Sequence, residues 1–242
     1  MKKIVVMVWM AAVCAVMLAA GGCSQPVVQT EIAYAPVGFT PEFNWNNKIV
    51  WDEWVRRGKL DVGVYPTSAP TEAPTAVFFP FIPTVDIRDP LETGTFVAKG
   101  FWQEWLTDGP FAILEFQELG TTYTPDYAIS IARSRGARFA VTGTLTDFFD
   151  GGSVTGARVG VALSIYDTAN GALIWSMKQY AFMEKDRTRD YILFKAEMRV
   201  PTDPLWAVTT ALAQSMKLPV NQWSKQWQAV DEQNSAAENA AF

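Results

Sequence analysis

The chain has 242 residues, with 20 Lys and Arg against 25 Asp and Glu and no histidine, giving a formal charge of −5. That balance argues against nucleic acid as a partner, because phosphate binding needs clustered Lys and Arg. The missing histidine removes the commonest general base and most zinc geometries, and neither G-x-x-x-x-G-K-[ST] nor G-x-S-x-G occurs, so no catalytic, metal or cofactor-binding residue is expected.

The chain opens on Met1-Lys2-Lys3, an apolar run from Ile4 to Ala20, and then Gly21-Gly22-Cys23. A positive start, an apolar core and small residues before a cut site are the layout of a secretory signal peptide. The run is somewhat shorter than the roughly 20 apolar residues of a spanning helix. The cysteine directly after two glycines resembles the lipobox of bacterial lipoproteins, although that family prefers Leu where this chain has Ala20. The resemblance implies that residues 1–22 are removed and that Cys23 becomes the lipidated first residue, carrying fatty acyl chains such as palmitate. Neither Ser24 nor Gln25 is the Asp that favours inner-membrane retention in enterobacterial lipoproteins, so the implied address is the outer membrane, facing the periplasm. Loss of Lys2 and Lys3, with no acid, would move the charge from −5 to −7. Cys14 would leave with the leader, so the body would carry neither thiol nor disulfide and must rest on an ordinary core.

Residues 23–75 read as a Pro- and Trp-rich spacer. Pro66-Thr-Ser-Ala-Pro70-Thr-Glu-Ala-Pro74 has the composition of an extended, semi-rigid segment. Within this stretch Ile49, Val50 and Trp54, with Trp51 and Val55, fall at helical spacing, which predicts a short amphipathic helix from about Asn47 to Arg57. Packing on the domain's own core accounts for such a helix. A sharper reading gives Trp45, Trp51 and Trp54 contact with a membrane interface or a partner.

The body is expected over residues 76–220. Val77–Ile82 reads as a buried strand. Val97, Phe101 and Trp105 mark a helix over 95–107, stopped by Asp108-Gly109-Pro110, and Phe111–Phe116 a second strand. Thr124-Pro125-Asp126 opens a helix with cap, proline and acid in order, a stripe of Ala128, Ile131 and Ala132, and Gly136 as its stop. From Arg138 the period falls to two, giving three antiparallel strands; Asn170-Gly171 turns between the last two. Residues 185–200 read as a loop and then a short helix or strand. Asp203-Pro204 opens a last helix ended by Pro219, and 221–242 reads as a polar, disordered tail containing Trp223 and Trp227.

The fold class is therefore α/β (α+β): a mixed sheet of about five strands with three or more helices. The order is strand–helix–strand–helix, an antiparallel meander, and a closing helix. With Phe79-Pro80-Phe81, Ala137–Leu145 and Val161–Trp175, this order resembles one group of envelope proteins. The group includes the amino-terminal domain of TolB, the curli-secretion lipoprotein CsgG, the polysaccharide-export lipoprotein PelC and the penicillin-binding-protein activator LpoB. The signature residues have structural explanations: Gly143 for close approach, Gly171 for positive φ in a turn, Trp175 for filling core.

The resemblance implies a non-catalytic structural or accessory component of an envelope assembly or export system, working as a homo-oligomer such as a ring beside other envelope proteins. An alternative is an activator of a periplasmic enzyme such as a peptidoglycan synthase, with residues 24–75 as a reach spacer. A third reading, a hydrolase using Asp86, Asp89, Asp147 and Asp150, requires two of these carboxylates in one deep pocket; acids at strand ends are usually turn caps. A membrane barrel would need further hairpins that the soluble sheet leaves no residues to supply.

Overall fold

A computed structural model describes residues 31–32, 42–44, 48–52, 55–184, 187–190 and 195–227. The leader, Cys23, Trp45, Trp54 and the segment from 228 onward lie outside the described residues.

The middle of the chain builds the frame. Strand β6 (Thr75–Phe78) lies between β8 (Ile113–Phe116) and β9 (Phe139–Asp150), parallel to both. Its side chains alternate between two cores: Ala76 and Phe78 face one, Val77 and Phe79 the other. A strand buried on both faces explains the unbroken apolar run that marks it in sequence. The short β7 (Ile82–Pro83) pairs parallel with β9 further along. Helix α1 (Pro90–Leu106) buries Val97, Phe101 and Trp105. Helix α2 (Pro125–Ser134) begins as its sequence says: Thr124 Oγ1 accepts from Tyr127 N at 3.4 Å, and Gly136 follows at φ 74°. Its buried stripe is Ala128, Ile129 and Ala132 on the Val77–Phe79 side, with Ile131 half-buried at the edge of the same cluster.

From Phe139 the chain meanders through β9, β10 (Gly156–Asp167) and β11 (Leu173–Glu184), each 12 residues long and antiparallel to its neighbour. A one-turn helix, α3 (Gly152–Thr155), links the first two. The register slips between Gly160 and Val161, where Leu145 and then Asp147 are the partners on β9. This bulge resets the alternation, so that Phe148 packs on the core while Asp147 turns out to pair with Arg158. Helix α4 (Pro204–Ser224) closes the larger core against α1 and the meander; Trp105 Nε1 donates to Ala213 O at 2.9 Å. The layers are thus α1 and α4 on one face of the sheet and α2 on part of the other.

Four expectations are corrected. The principal sheet holds nine strands among the described residues, not about five. The additions are short edge pieces with too few residues to show a period: β1 (Glu31–Ile32), β4 (Arg56–Arg57), β5 (Asp61–Val64) and β7. The Asn47–Arg57 helix is instead β3 (Lys48–Asp52) followed by β4. Ile49, Val50 and Trp51 favour a pleated strand, and β3 pairs with β13 (Lys195–Arg199), a partner no local spacing reveals. With β2 (Glu42–Asn44) and β12 (Arg187–Asp190) these strands make a second, four-stranded sheet, so a strand stands at 187–190 where a loop is expected, and 195–199 is the strand of the two alternatives, helix or strand. Finally, α4 does not stop at Pro219. It runs to Ser224, because Val220 and Trp223 gain burial there that outweighs the hydrogen bond the proline cannot make. Trp223 therefore belongs to the body, against Phe139 and Trp175, and not to a tail.

The spacer reading changes with these strands. β1 pairs with β4, and both β4 and β5 pair with β11, so the principal sheet recruits chain from well before residue 76. Val55 is 2% exposed, Gln179 Nε2 donates to Gly58 O, and Trp223 Nε1 donates to Ser68 O.

Candidate functional site

Several exposed apolar side chains lie at one end of the sheet. β9 ends in Phe148 and Phe149, α3 follows with Val154, α4 starts there with Leu205 and Trp206, and Phe96 comes from the second turn of α1. Phe149, Val154 and Trp206 are 44%, 69% and 38% exposed, and Phe96, 39% exposed, meets Trp206 edge-on at 6.3 Å. Helix starts and a strand end converge here because α1 and α4 run side by side and α3 touches α4. Scattered single apolar residues are ordinary on a surface; Phe96 and Trp206, from two helices, adjoin in one patch, whereas Phe149 alternates with the core-packed Phe148 and so lies toward the other face of β9.

A groove of about 500 Å³ runs beside this patch, lined by Arg88, Asp89, Glu92, Thr93, Phe96, Phe148, Asp150, Asp203 and Leu205. It brings together Asp89 and Asp150 of the four candidate acids, while Asp86 and Asp147 are not among its lining. Asp150 Oδ1 accepts from Gly152 N at 3.0 Å, and Asp203 Oδ1 caps α4 by accepting from Trp206 N at 2.9 Å. Asp147 Oδ2 pairs with Arg158 Nε at 2.6 Å. Asp89 and Asp150 are both exposed, whereas general-acid work calls for a carboxyl held in an apolar, desolvated setting. The groove thus displays turn and cap acids and lacks the arrangement a two-carboxylate hydrolase needs. Among the described residues no group of three or more Asp, Glu, Cys or His side chains is placed to hold a metal ion.

Of the three candidate contact tryptophans, Trp51 lies on β3, opposite Met198 of β13; Trp45 and Trp54 fall outside the described residues. Two strands of that second sheet, β12 and β13, follow β11 in the chain and lead through Val200, 7% exposed, to Asp203 at the start of α4. The signature residues play structural parts. A Cβ on Gly143 would lie 2.6 Å from the Phe81 ring, Gly171 sits at φ 74°, and Trp175 is 4% exposed beside Trp223. Sequence reasoning missed Phe149, Val154 and Trp206 as surface aromatics and aliphatics, because exposure is a tertiary property that their local spacing does not encode.

Neither a protein-family model nor a characterised protein sequence matches the chain. Among solved structures it is similar to the PelC dodecamer from Paraburkholderia phytofirmans, at 19% identity over 67% of this chain and 96% of that one, with a TM-score of 0.46. It is also similar to the LpoB C-terminal domain from Salmonella enterica (15% identity, 48% and 83%, TM-score 0.30). A third is lipoprotein GNA1162 from Neisseria meningitidis (14% identity, 44% and 79%, TM-score 0.29). PelC and LpoB belong to the group whose pattern the sequence resembles. No helix among the described residues is long and apolar enough to cross a membrane.

Proposed function

We propose that the protein is a lipid-anchored, periplasm-facing outer-membrane lipoprotein that serves as a non-catalytic structural component of an envelope assembly, working in several copies. The observation that carries this reading is the short distance between Cys23 and the folded body. Glu31 is paired with Arg57 in the principal sheet, leaving seven residues between the cysteine and the first described strand. Even fully extended, that length reaches about 28 Å. Acyl chains on Cys23, at about 0.8 kcal/mol per buried CH₂, would therefore hold the domain against the bilayer. A reach spacer of some 50 residues, which the activator reading needs, conflicts with the strands at 31–32, 42–44, 48–52, 56–57 and 61–64.

The apolar end supports the assembly part of the proposal, since the adjoining and partly exposed Phe96 and Trp206 offer a surface for a neighbouring subunit or the lipid interface. Trp45, Trp51 and Trp54 are proposed to extend that surface. Replacing Cys23→Ala is expected to move the protein from the membrane to the soluble periplasmic fraction; retention in the membrane would refute the anchor. The native mass of the detergent-extracted protein tests the assembly: a defined multiple of the chain mass is expected, and a monomer would favour the activator reading.

A further inference from the structure

The opposite end of the sheet holds a second cleft, of about 490 Å³, lined by the strap from Pro70 to Thr75, by Arg133 and by the turn from Gly136 to Phe139, with Thr168. We propose that this cleft binds a phosphate-class oxyanion, through the guanidinium groups of Arg133 and Arg138.

Two adjacent residues of the turn after β10 aim the two arginines. Asp167 Oδ2 accepts from Arg138 Nη2 at 2.8 Å, while its Oδ1 accepts from Ala169 N at 2.8 Å, so the carboxylate that holds Arg138 is itself held. Asp167 is 8% exposed. Thr168 O accepts from Arg133 Nε at 2.7 Å, and Thr168 Oγ1 in turn donates toward Ala137 O at 2.7 Å. Each guanidinium has five N–H donors in a fixed plane, and one hydrogen bond positions each of them here. Two positioned forks with donors to spare, anchored side by side on adjacent residues and facing the strap, suit an anion that accepts from both.

The simplest rival role for these arginines is to cap the carbonyls at the end of α2. The backbone already does so. Arg135 N donates to Ile131 O and Ala132 O, Gly136 N to Arg133 O, and Ala137 N to Ala132 O. Arg135, whose Nη1 pairs with Glu115 at 2.9 Å, is not among the cleft residues. Glu72 is the one acid in the lining and is exposed, while Asp167, committed to Arg138 and to Ala169 N, offsets part of the charge from behind the cleft. Prolines at 70 and 74 fix φ in the strap that forms the other wall, which limits collapse of the empty space. A phosphate group, whose tetrahedral oxygens can accept from both guanidinium groups at once, matches the pair better than a planar carboxylate does. A soluble phosphate ester and a phospholipid headgroup share those acceptor oxygens, the first with up to two charges and the second with one.

The test is calorimetric titration of the detergent-solubilised full chain at constant ionic strength set with chloride. The probes are inorganic phosphate and dihexanoyl-phosphatidylglycerol below its micelle-forming concentration. Saturable binding of one phosphate per chain is expected. Arg133→Gln and Arg138→Gln should each weaken it by about tenfold, the loss of one charge-assisted hydrogen bond, and Arg135→Gln should leave it unchanged. Glu72→Gln, at an exposed strap position, should tighten binding several-fold; it keeps the proposal testable if the arginine variants fold poorly. Tighter binding of the lipid than of phosphate assigns the headgroup, and the reverse assigns a soluble ester. No binding of either probe up to on the order of 10 mM, or an affinity indifferent to Glu72→Gln, overturns the proposal.

Discussion

Tyr123 shows how one half-buried polar group fastens the smaller core to the chain leaving β6. Its hydroxyl donates to Pro80 O at 2.7 Å and its ring packs on Phe79. Burial chiefly, and neighbouring Tyr166 secondarily, push the phenol well above its ordinary range. The folded state thus resists ionising this group, while the unfolded chain ionises it near pH 10. The stability it contributes is fully present below that pH and is lost as pH rises beyond it. Melting temperature should accordingly fall above about pH 10 more steeply in the native protein than in Tyr123→Phe. At neutral pH the same variant should cost about 1 kcal/mol by stranding the Pro80 carbonyl. Gly143 makes the complementary point about space. Phe81, 2% exposed, rests where a side chain at 143 would be, so Gly143→Ala should destabilise by about 1–3 kcal/mol in denaturant unfolding. The sequence marked Gly143 as a close approach without naming the ring that requires it.

At the scale of elements, legibility tracked how far away the deciding partner lies. Helix α2 was readable to its caps because Thr124, Pro125 and Gly136 act within their own turns. Replacing Thr124→Ala removes an acceptor for Tyr127 N and should lower stability by about 1 kcal/mol, measurable as a shifted urea midpoint at unchanged slope. The three long strands were readable because 12 residues give six repeats of a two-residue period. β3 and β4 were not, since five and two residues fit helical and extended spacing equally, and their partners sit on β13 and β11 more than a hundred positions later. Pro219 misled for a related reason. A proline announces a local loss, and only the contacts of Val220 and Trp223 show why the helix accepts it. The candidate contact surface was the least legible part. Trp206 and Phe96 sit in patterns indistinguishable from those of buried neighbours such as Trp105 and Phe101 until α1 and α4 are seen to meet.

For the whole molecule, the sheet edge supplied from 31–64 governs solubility as well as placement. β11 is covered on that side by β4 and β5, and Gly58 N also donates to Tyr180 O at 2.9 Å. A chain starting at residue 66 would expose the edge of a 12-residue strand together with the core face vacated by Val55. Uncovered edges of that length template pairing between chains. Such a truncation should elute as aggregate in size exclusion and melt without a cooperative transition, whereas a chain starting at residue 24 should remain a defined species. The folded domain therefore begins earlier than composition implies, since prolines and a lack of periodicity describe edge strands as well as they describe linkers.

Lys217 has a mechanical consequence of its own. Its ammonium, on a side chain 13% exposed, donates from α4 to Glu104 O, Glu104 Oε1 and Thr107 O at the far end of α1. With the Trp105 indole fastened to Ala213 O four residues earlier, the two helices are riveted at adjacent points and cannot slide past each other. Any pull on Trp206, at one extremity of this pair, arrives undiminished at the other. The helical layer would then behave as a stiff lever, tilting in one piece over the sheet beneath it.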